Sequence, residues 1–145
     1  MDGRVSHLIH YYYGDRLQTF QTGLGTLIRA SGHSKDVLAF VINDSFTWVN
    51  SLKESQPITV NILSLAKDKN IQDVIFDKIL SVNNYVCLIS NIDLLIESDL
   101  IDTKELLDFI IGIRGKNEII LTCKSYYPEL EINADYVSLF KVNDV

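Results

Sequence analysis

Leu8–Arg29, LIHYYYGDRLQTFQTGLGTLIR, is the stretch from which the fold is read. An apolar run, Leu8–Tyr13, is broken by a turn starting at Gly14. Beyond the turn, Phe20, Leu24, Leu27 and Ile28 fall at i, i+4, i+7 and i+8, one face of a helix. A buried strand, a short loop and a helix N-terminus make the scaffold of a phosphate site, because free backbone N–H groups and the helix dipole both point at the loop. The residues that a working phosphate loop needs are missing. The scaffold is that of a nucleotide site and its chemistry is stripped out.

Outward from this unit the pattern repeats. The first helix ends near Ala30, with Gly32 set to cap it in a left-handed conformation. Val37–Ile42 is a continuous apolar run, as in a parallel strand covered on both faces. Asn43–Gln56, which carries Phe46 and Trp48, reads as a loop, and Pro57 introduces a strand at Ile58–Leu63. Ile71, Val74, Ile75 and Ile79 form the apolar face of a second helix, and Tyr85–Ile89 is another buried strand. Asp102 with Glu105 three residues on resembles a capping box. It opens a helix that turns Leu106, Leu107, Ile110 and Ile111 inward and stops at Gly115. Glu118–Thr122 is a strand, Tyr127–Ile132 a short helix starting around Pro128, and Tyr136–Phe140 a last strand. This alternation predicts an α/β three-layer sandwich with a mostly parallel sheet, in which Leu8–Tyr13 and Tyr85–Ile89 are central. Residues 1–145 read as a single domain.

The 145 residues suffice to bury roughly two thirds of the unfolded surface. A net charge of −6 with no Lys/Arg cluster argues against nucleic acid or an anionic membrane as partner. No apolar run exceeds strand length, and Met1–Ser6 lacks the apolar region of a signal peptide, so the expected location is cytoplasmic. Cys87 and Cys123 lie inside apolar runs and read as buried free thiols. His7, His10 and His33 show no metal-ligand spacing with Asp, Glu or Cys, and no nucleophile–base set emerges from spacing.

Three blocks resemble the P-loop ATP:corrinoid (cob(I)alamin) adenosyltransferases. Tyr12–Ile42 follows, without gaps, the family's Y-T-G-N-G-K-G-K-T-T-A-A-x-G, then R-A-x-G-H-G and a hydrophobic strand. Leu88–Leu107 follows I-L-D-E-I-N-x-A-L-x-x-G-L-L-D-x-x-E-V-L. Leu121–Val137 follows L-T-G-R-x-x-P-x-E-L-x-x-x-A-D-L-V. Together they cover about half of the chain in the family's order. The resemblance implies a P-loop NTPase-like fold of the adenosyltransferase type, ATP·Mg²⁺ and a corrinoid as ligands, and a homodimer, to which Phe46 and Trp48 would contribute.

The departures fall on the catalytic positions of that family. The nucleotide loop Gly14, Asp15, Arg16, Gln18, Thr19, Phe20 and Gln21 is degenerate: Arg16 and Gln18 replace glycines that let N–H groups close on phosphate. Thr19 stands at the lysine, and Phe20 and Gln21 stand at the hydroxyls that help to hold Mg²⁺. The Asp-Glu pair that ends the Tyr85–Ile89 strand is Ser90-Asn91. Cys123 and Lys124 replace a glycine and an arginine; Lys124 keeps the charge for a phosphate and loses the fork. The basic C-terminal tail of the family is absent. Arg16 could still meet a phosphate, but the plainer reading is a solvated loop arginine paired with Asp15. Tyr11, Tyr12 and Tyr13 could stack on a flat ligand, but an alternating strand more simply buries one face of such a run. No catalytic residue, metal site or cofactor is assigned. Two readings follow. One is a catalytically impaired relative that keeps the fold to bind a corrinoid, a nucleotide or a protein partner. The other is an active adenosyltransferase with a rebuilt nucleotide site.

Overall fold

The computed structural model describes residues 8–42, 59–65 and 68–141. Their elements are β1 (Ile9–Gly14), α1 (Arg16–Gly32), β2 (Asp36–Ile42), β3 (Thr59–Leu63), α2 (Ile71–Leu80) and β4 (Tyr85–Ile89). There follow α3 (Ile92–Glu97), α4 (Thr103–Ile113), β5 (Glu118–Cys123), α5 (Pro128–Asn133) and β6 (Tyr136–Phe140). The strands form one six-stranded sheet in the order β3-β2-β4-β5-β1-β6, and every neighbouring pair is parallel. β1 is inserted between β5 and β6, with Ile9 opposite Ile119 and His10 opposite Tyr136. β4 and β5 hold the two middle places, so β1 is interior but not central as expected.

Parallel strands send alternate side chains to the two faces, and each face here has its own core. On one face α1 lays Phe20, Leu24 and Leu27 against Tyr12, Val37, Ala39, Val41, Val86, Leu88 and Ile120. On the other, α2, α3, α4 and α5 bury Ile71, Ile75, Ile79, Ile92, Leu95, Leu106, Ile110, Ile113 and Leu130 against Ile9, Tyr11, Leu38, Phe40, Ile89, Ile119 and Leu121. Helices on both faces of a mostly parallel sheet make the three-layer α/β sandwich. The unbroken apolar runs of β2, β4 and β5 are the sequence trace of that double coverage.

Several helix details depart from the sequence reading. Gly32 is the last residue of α1, and the left-handed conformation falls instead on Ser34, at φ 65°. In α2, Val74 is exposed while Ile71, Ile75 and Ile79 are buried. In α4, Ile111 points to solvent, Leu107 is half-buried, and the helix ends at Ile113 rather than Gly115, with Ile113 completing its buried row. The Asp102 cap forms, its carboxylate accepting from the Glu105 N–H at 3.0 Å. The reciprocal half of the box does not: Gln72 of α2 inserts between the two residues, accepting from the Asp102 N–H and donating to Glu105. Phe46 and Trp48 lie outside the described residues.

Candidate functional site

The candidate site lies at the carboxyl ends of β1, β4 and β5, the rim where open α/β sheets bind ligands. β1 passes into α1 through one residue, Asp15. Gly14 permits this at φ 122°, a conformation unfavourable to L side chains, and a Cβ there would stand 1.9 Å from the carbonyl oxygen of Phe140. The next N–H, of Asp15, donates to that same carbonyl at 2.8 Å, fastening the loop to the end of β6. The Asp15 carboxylate then turns onto the helix and accepts from the Gln18 N–H at 2.9 Å. An acidic side chain of the chain itself therefore occupies the α1 N-terminus, which is where a phosphate would lie.

Arg16 does not pair with Asp15, contrary to expectation. Its guanidinium crosses the end of β5 and reaches Asp93 in the first turn of α3, donating to the two carboxylate oxygens at 2.7 and 3.2 Å. It also donates to the Asn91 side-chain oxygen at 2.9 Å. Asp93 is only 1% exposed, whereas 30% of the Arg16 side chain meets water. The pair is a forked, charge-assisted contact with one end buried. Asn91, left-handed at φ 54°, starts α3; its N–H donates to the Thr122 hydroxyl and its side-chain amide to the Ile42 carbonyl. The Ser90 hydroxyl accepts from the Ile42 N–H at 3.0 Å. At the two positions where the resembled family has carboxylates, Ser90 and Asn91 thus tie β2, β4 and β5 together.

The remaining candidates separate. Thr19 is fully buried and its hydroxyl donates to the Arg16 carbonyl at 3.0 Å; Phe20 belongs to the core under α1. Gln18 and Gln21 are exposed on the helix, and Lys124 is exposed just beyond β5. Gly14, Asp15, Arg16, Ser90 and Asn91 are brought to one rim. Asp93, the acid that holds Arg16, was not singled out in the sequence; its only signal was a charged residue four positions past the strand end.

The tyrosine run does not bury one face alone. Tyr11 and Tyr12 are both buried, on opposite faces of the sheet, and Tyr13 is half-buried and stacked on Tyr11. The Tyr11 hydroxyl donates to the Ser125 carbonyl and accepts from the Tyr127 N–H, holding the loop after β5. Burial, and then the neighbouring Cys123, raise the Tyr11 pKa above its ordinary value. Cys123 donates its S–H to the Ser125 carbonyl at 2.9 Å, and burial pushes its thiol up to about 12, so it is no nucleophile. Cys87 is likewise buried, free and pushed up to about 12. His10 sits at the opposite rim, paired with Glu118 at 2.6 Å and stacked on Tyr136. Among the described residues no group of three or more His, Cys, Asp or Glu is placed to hold a metal ion.

No family model matches the chain. No curated protein matches it either. Among solved structures, the cytoplasmic domain of EssC is similar in fold, with a TM-score of 0.63 over 96% of this chain at 16% identity. The chain spans about a third of that structure's length, 32%.

Proposed function

We propose that this chain is a divergent relative of the P-loop adenosyltransferases whose nucleotide site is catalytically impaired, the fold being retained to bind a ligand or a partner. The observation that carries this reading is the internal satisfaction of the rim. Asp15 caps α1, and Arg16 is committed to Asp93 and Asn91. A triphosphate entering here would meet two carboxylates and would have to draw Arg16 away from a buried acid. The loop lysine and metal-binding carboxylates that would offset this are replaced by Thr19, Ser90 and Asn91. The α1 dipole alone contributes about 0.3–2 kcal/mol, against about 8 kcal/mol for micromolar affinity. Restoring only the lysine, in Thr19→Lys, would place it at a fully buried position still lacking metal ligands, and no gain in ATP affinity is expected.

Calorimetry with ATP·Mg²⁺ tests this. The expected result is no binding tighter than about 10 μM, equivalent to roughly 7 kcal/mol; tighter binding would overturn the reading. Assay of adenosyl transfer to a chemically reduced corrinoid is the second arm, and product formation there would establish an enzyme with a rebuilt site instead. Corrinoid binding without transfer would identify the retained ligand. A cytoplasmic location goes with this proposal: no described helix is long and apolar enough to cross a membrane, and the similar EssC structure is itself named as a cytoplasmic domain.

A further inference from the structure

At the amino-terminal rim of the sheet, opposite the rim that carries Gly14 and Asn91, the starts of β2, β4 and β5 enclose a cavity of about 280 Å³. The loops that meet there are each fastened. Ser34, left-handed at φ 65°, and Lys35 donate their N–H groups to the Ser31 and Ala30 carbonyls, which holds the entry to β2 against the end of α1. Asn84, left-handed at φ 60°, donates its N–H to the Lys116 carbonyl and so joins the entries to β4 and β5. Asn117, only 1% exposed, completes the clamp. Its side-chain amide donates to the Ile79 and Val82 carbonyls, and its side-chain oxygen accepts from the Tyr85 N–H. The cavity is therefore preformed, as small-molecule sites usually are.

One acid of the lining is also set in place. Glu118 Oε2 pairs with His10 Nε2 at 2.6 Å, and the His10 ring is stacked on Tyr136 with its Nδ1 3.4 Å from the Tyr12 hydroxyl. Holding one oxygen of a carboxylate from behind fixes the direction of the other, which is how a binding group is pre-organised. Asp36, Lys35 and Asn84 stand exposed around the same cavity, and the half-buried Tyr85 and buried Val86 give it an apolar wall. An anion there meets Asp36, Glu118 and the carbonyl end of α1. A cation meets the Lys35 ammonium. An uncharged molecule with several hydroxyls suits the whole lining, because each O–H donates to a carboxylate and accepts from an ammonium or amide N–H. Ligand pockets ordinarily measure about 300–1,000 Å³, so a cavity of this size admits one small ring.

We infer that the amino-terminal rim is a binding site for a small uncharged polyol, of the size of a single sugar ring. Asp36 and Glu118 accept from its hydroxyls, Lys35 and the Asn84 amide donate to them, and Tyr85 and Val86 cover its C–H surface. The site lies across the sheet from the β1–α1 loop and does not depend on whether that loop binds a nucleotide.

The test is an NMR titration of the isotope-labelled protein with D-ribose, D-glucose and myo-inositol, with sodium acetate and ethylammonium chloride as charged probes. At least one polyol should shift the backbone amides of Lys35, Asp36, Asn84 and Tyr85, with saturation in the millimolar range. Neither charged probe should do so at the same concentration. Asp36→Ala removes an exposed carboxylate and should weaken the binding about tenfold or more, as expected for a hydrogen bond to a charged group. Asn84→Gly deletes the amide at a left-handed position that glycine adopts freely, and should weaken it too. Both variants should otherwise keep the wild-type spectrum. The inference is overturned if none of the polyols gives saturable shifts, or if the shifts map to another part of the sheet. It fails equally if acetate or ethylammonium binds the same amides more tightly, because the cavity then takes an ion, or if both variants bind as well as wild type.

Discussion

Arg16→Ala should cost far more stability than the loss of a loop arginine. In the native protein the guanidinium donates to both oxygens of Asp93, a residue with 1% of its surface exposed, and to Asn91. Truncation leaves a carboxylate deep in the rim with its cation gone, and breaking such a pair from one side costs about 3–5 kcal/mol. Arg16 keeps 30% of its side chain in water, so solvent enters the vacated space and the expected loss is at the lower end, about 3 kcal/mol. For a chain of this length that lowers the melting temperature by about 10 °C. Urea unfolding of Arg16→Ala, Asp93→Asn and the double variant measures it. The double variant should lose clearly less than the sum of the singles, because removing the acid removes the unpaired charge. A loss below about 1 kcal/mol for Arg16→Ala, the range of exposed ion pairs, would refute the argument and return Arg16 to the role of a solvated side chain.

The buried thiols predict an alkaline weakness. With Cys87 and Cys123 pushed from 9.0 up to about 12 by burial, the folded state holds protons that the unfolded state has released between those values, so stability falls as pH rises through that window. Each thiol contributes up to about 1.4 kcal/mol per pH unit; Cys87→Ala should flatten the slope measured by urea titration between pH 8 and 10.5, and an unchanged slope would contradict it. Two glycines predict opposite outcomes for one substitution. Gly112→Ala, in the last turn of α4 with nothing near its would-be Cβ, should stabilise by up to about 0.5 kcal/mol. Gly14→Ala meets both a positive φ and the Phe140 carbonyl, and should cost about 3 kcal/mol or more. Chemical denaturation ranks the two, and equal effects would show that the tight approach at Gly14 is not rigid.

The layered fold could be read from the sequence because burial on both faces writes long apolar runs, and Tyr85–Ile89 and Tyr136–Phe140 come out with the observed limits. The inward faces of helices were less secure. Val74 and Ile111 satisfy a helical period as well as their neighbours do, and only the sheet position decides which apolar residue goes under. The rim was half legible. Gly14, Asp15 and Arg16 stood out through the strand–turn–helix pattern, and Ser90 and Asn91 through the strand end. The partner of Arg16 did not, because Asp93 is 77 residues away and an acid in the first turn of a helix ordinarily needs no partner beyond the helix dipole. Tyr12 was misread for a similar reason: strand alternation states which residues share a face, not how thickly each face is covered.

The insertion of β1 between β5 and β6 has a consequence for how the chain is made. Every strand neighbour of β1 comes from the far end of the sequence: Ile9 pairs with Ile119, 110 positions later, and His10 with Tyr136. At about 5–20 residues per second, synthesis takes roughly 5–20 s to supply those partners. Through that interval β1 has no sheet ladder, and the Asp15 N–H has no Phe140 carbonyl to bond. β2 and β4 pair much earlier, so the sheet grows from its far side and closes around β1 last. Such long-range pairing also slows refolding from denaturant. The rim built on Gly14 is therefore among the final parts of the molecule to take shape, and shortening the chain from its carboxyl end removes the support of its very first strand.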